Sequence, residues 1–482
     1  MSAQAFGCLA PEKSMAFLHP AIAALSDVPV SKFFRDAAWK SFPGLNKHPG
    51  YWPLFCYLLF GSWHDKDTGR LLLYSDILSE IEGRDPNNSQ AEKFLIDFRE
   101  EVLRPVGADI RWTDWYKPKR KCRQLRKRDF GLEFEEILRQ EHLGKWNRGE
   151  RVYLLDGSIH NRLNARRFRR QQREAAGRLP TFCEHAEFIR TYMNTLPANL
   201  FTTKVQENFR SALKATFNLP DSPVRDAQLR ILRHINSQPQ PFYFPSEKGH
   251  TVRLSTSEGI PNLKSNVRRA LTKGWEEADL RCSQLAICAS LWRIKEVTDF
   301  LATGKSIWNR LFDYLELRPE QRQLAKPILK KAIYSTCYGM EEPRVRGLTA
   351  RDFAGEGMDK KLSPSLLKEE LFASLFNSRD IALEQIAEEG GGMTAYGRWL
   401  RITGEREPRD IMAEVAQSWE MKLIYPAFDL ARKTSDFTIT LFQHDGISVQ
   451  FTRRSEQWKR RIEESINENA NRLNFMTWLE WS

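Results

Sequence analysis

Thr251–Ala289 reads TVRLSTSEGIPNLKSNVRRALTKGWEEADLRCSQLAICA, and Asp279 closes a short segment within it that leans apolar. A carboxylate at the end of such a segment is suited to holding a catalytic metal. Two later segments complete a constellation. Lys326, Lys330, Tyr334 and Tyr338 recur every four residues before Gly339, a spacing that keeps them on one helical face. Gln443-His444-Asp445-Gly446 sits between Phe437–Phe442 and Ile447–Phe451, two strand-like runs, which places His444 and Asp445 at a hairpin turn. Two carboxylates and a basic, aromatic helix face are the parts that metal-assisted nucleotidyl transfer requires.

From Thr251 to Val449 four segments resemble family A nucleic-acid polymerases, the class of bacterial DNA polymerase I and the single-subunit phage RNA polymerases. Thr251-Val252-Arg253-Leu254-Ser255-Thr256 with Pro261-Asn262-Leu263-Lys264-Ser265-Asn266 resembles the entry to the family's palm. Ala278-Asp279-Leu280-Arg281-Cys282-Ser283-Gln284-Leu285-Ala286 resembles its motif A, and the lysine–tyrosine series its motif B. His444-Asp445-Gly446 resembles its motif C. The order and separations also follow the family.

The resemblance implies an α+β chain of right-hand architecture: an antiparallel palm sheet, helical fingers and thumb, and a helical N-terminal region. The expected divisions are 1–105, N-terminal helical region; 106–240, basic thumb-like region; 241–294, first part of the palm; 295–392, fingers; and 393–482, second part of the palm with a C-terminal tail. Gln238-Pro239-Gln240-Pro241 reads as a boundary and Gly390-Gly391-Gly392 as a hinge or tight turn. The first 250 residues hold no Asp-x-Glu exonuclease signature, so no proofreading domain is expected.

The same resemblance assigns roles. Asp279 and Asp445 would bind two Mg²⁺ ions, or Mn²⁺ in their place. Lys330 would contact the incoming triphosphate and protonate the leaving pyrophosphate, helped by Lys326 and Arg322, with Tyr334 and Tyr338 toward base and sugar. Arg253, Asn262, Asn266, Arg409, Gln417 and His444 would contact primer and template. Several positions depart from the family. Lys326 stands in an arginine slot and loses bidentate phosphate recognition. Pro327 follows it, so the helix is expected to start or kink there, with Arg322 one turn earlier to compensate. Gly446 replaces a glutamate, and Gln284 replaces the glutamate that packs near the fingers tyrosine and excludes a ribose 2′-hydroxyl. Tyr338 is its expected neighbour.

Composition agrees with a polyanionic partner. The 482 residues carry a net charge of +12. Between Arg111 and Arg173, 19 Lys/Arg stand against 8 Asp/Glu, and this segment supplies nearly the whole excess. Lys119, Arg120, Lys121 and Arg123 are its candidate DNA contacts, with Trp112, Trp115, Tyr116 and Phe168 available for stacking. Seven scattered cysteines without a C-x-x-C pair argue against a disulfide framework and a zinc site, and point to a reducing, cytoplasmic compartment. No signal peptide is evident, and Trp52–Phe60 is too short to span a bilayer.

The leading expectation is a template-directed DNA polymerase extending a primer with dNTPs, with no membrane partner. A replication accessory protein on the N-terminal region is left open. Asp279-Leu280-Arg281-Cys282-Ser283 equally resembles the D-x-x-C-S of single-subunit RNA polymerases, so an RNA-synthesising relative or primase is the alternative. A catalytically weakened nucleic-acid-binding replication factor is the third reading.

Overall fold

The computed structural model describes residues 30–61, 68–83, 90–113, 122–143, 152–153, 159–160, 181–245, 252–256, 259–404 and 406–482. Lys119, Arg120, Lys121, Trp115, Tyr116, Phe168 and Thr251 lie outside them. The chain divides into two units. One comprises Met1–Gly177, Pro197–Phe242 and Thr256–Lys273; the other comprises Arg178–Leu196, Tyr243–Ser255 and Gly274–Ser482.

The first unit is built on aromatic side chains. Tyr51–Phe60 is a helix buried on nearly every side, as an all-apolar helix must be in water. Phe42 meets Phe55 and Phe134 at ring separations of 5.0 and 4.9 Å, and Phe130 and Leu138 join the same core. A three-stranded antiparallel sheet of Leu72–Tyr74, Cys122–Asp129 and Asp109–Trp112 borders it. The expected boundary at 105/106 therefore fails, because Ile110, Leu125 and Phe134 bury themselves among residues of the supposed N-terminal region. The expected thumb-like and first palm segments are also divided between the units. Glu184–Thr195 belongs to the second while the Ala198–Phe217 and Pro223–Ser237 helices belong to the first, and Thr256–Lys273 leaves the second for the first.

The second unit is organised by four antiparallel strands: β1 (Glu276–Leu280), β2 (Phe437–Phe442), β3 (Gly446–Phe451) and β4 (Leu479–Trp481), in the order β2-β3-β1-β4. The β-branched and aromatic residues of β2 and β3 suit a sheet covered on both faces, and most of them are buried. β4 corrects the expected C-terminal tail. Leu479, Glu480 and Trp481 pair with Leu280, Asp279 and Ala278, and the Ser482 amide donates to the Glu277 carbonyl at 2.9 Å. At Gly390–Gly392, where a hinge or tight turn was expected, Gly390 ends the Glu370–Glu389 helix at φ +68°, and Gly391–Met393 pairs as a strand with Trp399–Arg401.

Three helices of the second unit carry further residues expected at the site: α1 (Ser283–Leu291), α2 (Pro319–Cys337) and α3 (Pro408–Ala431). α2 contradicts the expectation that Pro327 starts it. The helix begins two turns earlier, where Pro319 occupies the first turn and the Gln321 side chain accepts from the Arg318 amide at 3.1 Å. Pro327 cannot bond the Gln323 carbonyl, but both residues are exposed, so water can satisfy it. Pro426 interrupts α3 in the same way in partly buried surroundings. There the Asn469 side-chain amide donates to the Lys422 carbonyl at 2.9 Å, replacing the bond that proline removes. Among the described residues no helix is long and apolar enough to cross a membrane.

Candidate active site

Asp279 is exposed on β1, and Gly446 faces it directly from β3. Asp445 precedes that glycine, and its carbonyl accepts the Leu280 amide at 2.8 Å. The two aspartates are thus held by adjacent strands. A Cβ on Gly446 would lie 1.9 Å from Asp279 Oδ1, so only glycine leaves that carboxylate its place. Burial, then the charges of Glu420 and Asp279, push the Asp445 carboxyl up to about 7 against the pull of Lys330. His444 holds the turn at φ +71°, in the left-handed region that glycine favours, and Gln443 N donates to Gly446 O at 2.8 Å to close the hairpin.

Behind the aspartates lies a carboxylate the sequence reading missed. Glu420 of α3 is 2 % exposed. It accepts from Gln284 Nε2 at 2.6 Å, Ser283 Oγ at 3.2 Å and an Arg253 guanidinium nitrogen at 3.1 Å. That guanidinium nitrogen also donates to the Tyr338 hydroxyl at 2.9 Å. Gln284 and Tyr338 were expected as direct neighbours. Instead the Gln284 amide is taken by Glu420, and the path to Tyr338 runs through Arg253. Burial is the main cause that raises the Tyr338 phenol above its ordinary range, so it stays protonated. The missed signal was periodicity: Met412, Ala416, Glu420 and Ile424 recur every four residues, and a lone acid interrupts this buried stripe.

α2 presents its lysines to solvent and half-buries Tyr334, while Tyr338 caps its C-terminus. Lys330 Nζ stands 5.2 Å from the Tyr334 ring and Lys326 Nζ 6.0 Å from the Trp308 ring. Arg322 is engaged locally, with Asp313 at 2.9 Å and the Leu317 carbonyl at 3.2 Å. Arg409 opens α3 beside Gly339 and pairs with Glu407 at 2.9 Å, and Gln417 is half-buried two turns on.

Three other expected contacts are residues of the first unit. Asn262 Oδ1 accepts from the Gly259 amide at 3.0 Å and Thr256 Oγ1 at 2.9 Å, while Asn266 caps the Val267 amide at 2.9 Å. Arg123, expected on an exposed basic surface, is 4 % exposed and pairs with Glu92 at 2.7 Å. The inward side of its strand accounts for the correction: the charge is spent inside the unit.

No protein-family model matches the chain, and no curated protein matches it. Among solved structures it is similar to the POL domain of Pol1 from M. smegmatis in complex with DNA primer-template and dNTP. That similarity has a TM-score of 0.40 and 16 % identity over 56 % of this chain, and it spans about half, 54 %, of the other.

Proposed function

We propose that the chain is a template-directed DNA polymerase that extends a primer with dNTPs by two-metal nucleotidyl transfer, without a proofreading exonuclease. The observation that carries this reading is the placement of Asp279 on β1 beside Asp445, which immediately precedes the adjacent strand β3, with burial first and then the charges of Glu420 and Asp279 raising the Asp445 carboxyl to about 7. Such a site gains by taking up cations. Among the described residues no group of three or more His, Cys, Asp and Glu could hold an ion unaided. The remaining ligands would then be substrate phosphates and water, the arrangement Mg²⁺ favours and Mn²⁺ accepts. Two such ions, when bound, lower the cost of charge on the attacking and leaving oxygens.

The chain's own groups do the rest. Lys330, near enough to Asp445 to oppose its raised pKa, would meet the triphosphate and give a proton to the departing pyrophosphate. Lys326 would add charge to the same face. Tyr334 and Tyr338 would border the base and sugar, with Arg253 and Glu420 fixing Tyr338 in place. His444, Arg409, Gln417, Asn262 and Asn266 remain the proposed primer–template contacts. In this reading β1–β4 form the centre of the palm and the helices of 295–392 the fingers.

The test is primer extension with Mg²⁺, offering dNTPs or rNTPs on DNA and RNA templates. Wild type should incorporate dNTPs, while Asp279→Ala and Asp445→Ala should each lose at least ~10³-fold in rate. Robust synthesis by both variants would overturn the metal assignment, and a native preference for rNTPs would replace the DNA reading with the RNA one.

A further inference from the structure

The first unit gathers four arginines around one cavity of about 50 Å³. Arg70 precedes the Leu72–Tyr74 strand, Arg126 and Arg128 lie on Cys122–Asp129, and Arg230 lies on the Pro223–Ser237 helix. The strand register, Leu72 against Gln124, sets Arg70 opposite Arg126 when carried two residues further. Arg126 sits at a register irregularity between Leu125 and Lys127, and both it and Arg128 line the cavity. Like charges opposite one another and side by side destabilise a sheet. Their convergence calls for an anion.

Among the described residues of the lining one carboxylate, Asp226, stands with the four arginines; Arg128 reaches it at 3.6 Å, and outside the lining Glu135 lies 3.8 Å from the same guanidinium. Among the described residues Arg70 and Arg126 have no carboxylate partner. Arg230 is 5 % exposed, so its charge sits in a poorly screened wall. Gly69, at φ +67°, brings the chain so close to the start of the Pro223–Ser237 helix that a Cβ would lie 2.7 Å from the Val224 nitrogen. This close passage carries Arg70 over the helix's first turn. The positive field also reaches inward: burial first, then Arg233, Arg128 and Arg230, hold His142 well below the ordinary histidine range.

We propose that this cavity is a phosphate-binding site, taking a dianionic phosphate group as a strand's terminal monoester or as free phosphate. Guanidiniums match phosphate oxygens in bidentate geometry, and four of them line this one small cavity. The site is built from first-unit residues, whereas Asp279 and Asp445 belong to the second unit, and it does not depend on the chain being a polymerase.

The experiment uses the full chain at fixed ionic strength, with chloride as the control anion. Thermal melting with inorganic phosphate is combined with binding of one oligonucleotide duplex carrying either a terminal phosphate or a terminal hydroxyl. Phosphate should raise the melting temperature, and the phosphorylated duplex should bind about tenfold more tightly. Both effects should vanish in Arg70→Gln/Arg126→Gln. Arg126→Gln alone, at an exposed position, should weaken both and serves if the double variant fails to fold. Stabilisation by phosphate without discrimination between duplex ends identifies free phosphate as the ligand. Absence of both effects, or their persistence in the folded arginine variants, overturns the proposal.

Discussion

Gly446 faces Asp279 across adjacent strands with no room for a side chain, since a Cβ would fall 1.9 Å from the carboxylate oxygen Oδ1. The position after Asp445 is therefore glycine for a reason internal to this sheet. In Gly446→Ala the Asp279 carboxylate or strand β3 must shift. Overpacking of this kind costs roughly 1–3 kcal/mol, measurable by chemical denaturation. Primer extension should fall at least ~10-fold, because misplacement by an ångström is expensive for positioned groups. Full activity in the folded alanine variant would show that the site tolerates Asp279 elsewhere.

The Asp445 carboxyl rises from the ordinary aspartate value to about 7 in the folded chain. Between about pH 4 and 7 the folded state keeps a proton that the unfolded state has lost. Stability contributed by that proton is present at the acid end and is lost as pH rises through 7. Asp445→Asn should consequently gain on wild type across this window, by on the order of 1–3 kcal/mol at its upper end. Denaturation curves at a series of pH values give the comparison. Mg²⁺ should raise the melting temperature of wild type above pH 7 and leave Asp279→Asn/Asp445→Asn unmoved; equal stabilisation of both would place the ion elsewhere.

Pro426 and Asn469 form a testable pair. Asn469 donates to the Lys422 carbonyl at 2.9 Å and the Leu423 carbonyl at 3.3 Å, and Pro426 withholds the helical bond from the former. Asn469→Ala should cost about 1–3 kcal/mol, the usual penalty of a buried acceptor left unmet. In a Pro426→Ala background the helix amide can take the Lys422 carbonyl, so the same substitution should cost less. A double-mutant cycle by denaturation reads the coupling directly, and strict additivity would reject the account.

Glu420 holds both Gln284 and Arg253, so its loss should be felt at Tyr338 and in sugar choice. Glu420→Gln should lower stability by on the order of 2 kcal/mol, because it leaves the Arg253 charge without its buried partner. Gln284→Gly should reduce the ratio of dNTP to rNTP incorporation on one primer–template. Glu420→Gln should move that ratio in the same direction by releasing the Gln284 side chain. If Gln284→Gly leaves the ratio unchanged, Gln284 has no part in the gate; if only Glu420→Gln does, Glu420 acts on stability alone.

The parts of the candidate site that repeat locally were legible in the sequence. Strands Phe437–Phe442 and Gly446–Phe451 declare themselves by β-branched and aromatic residues around a short polar turn, and the lysine–tyrosine face of α2 by its spacing of four. Those local patterns suffice because side-chain repeat and backbone conformation are set by near neighbours. The tertiary structure alone decided the rest. It seated Glu420 beneath Gln284 and Arg253, 136 and 167 residues away in the chain. It paired Leu479–Trp481 with the strand bearing Asp279, turned Arg123 inward to Glu92, and ran one aromatic core across residue 106. Each depends on which distant group meets a buried charge, an open strand edge or an apolar surface. Short sequence windows do not contain those partners, and the free energy of burial and pairing is settled only where they meet.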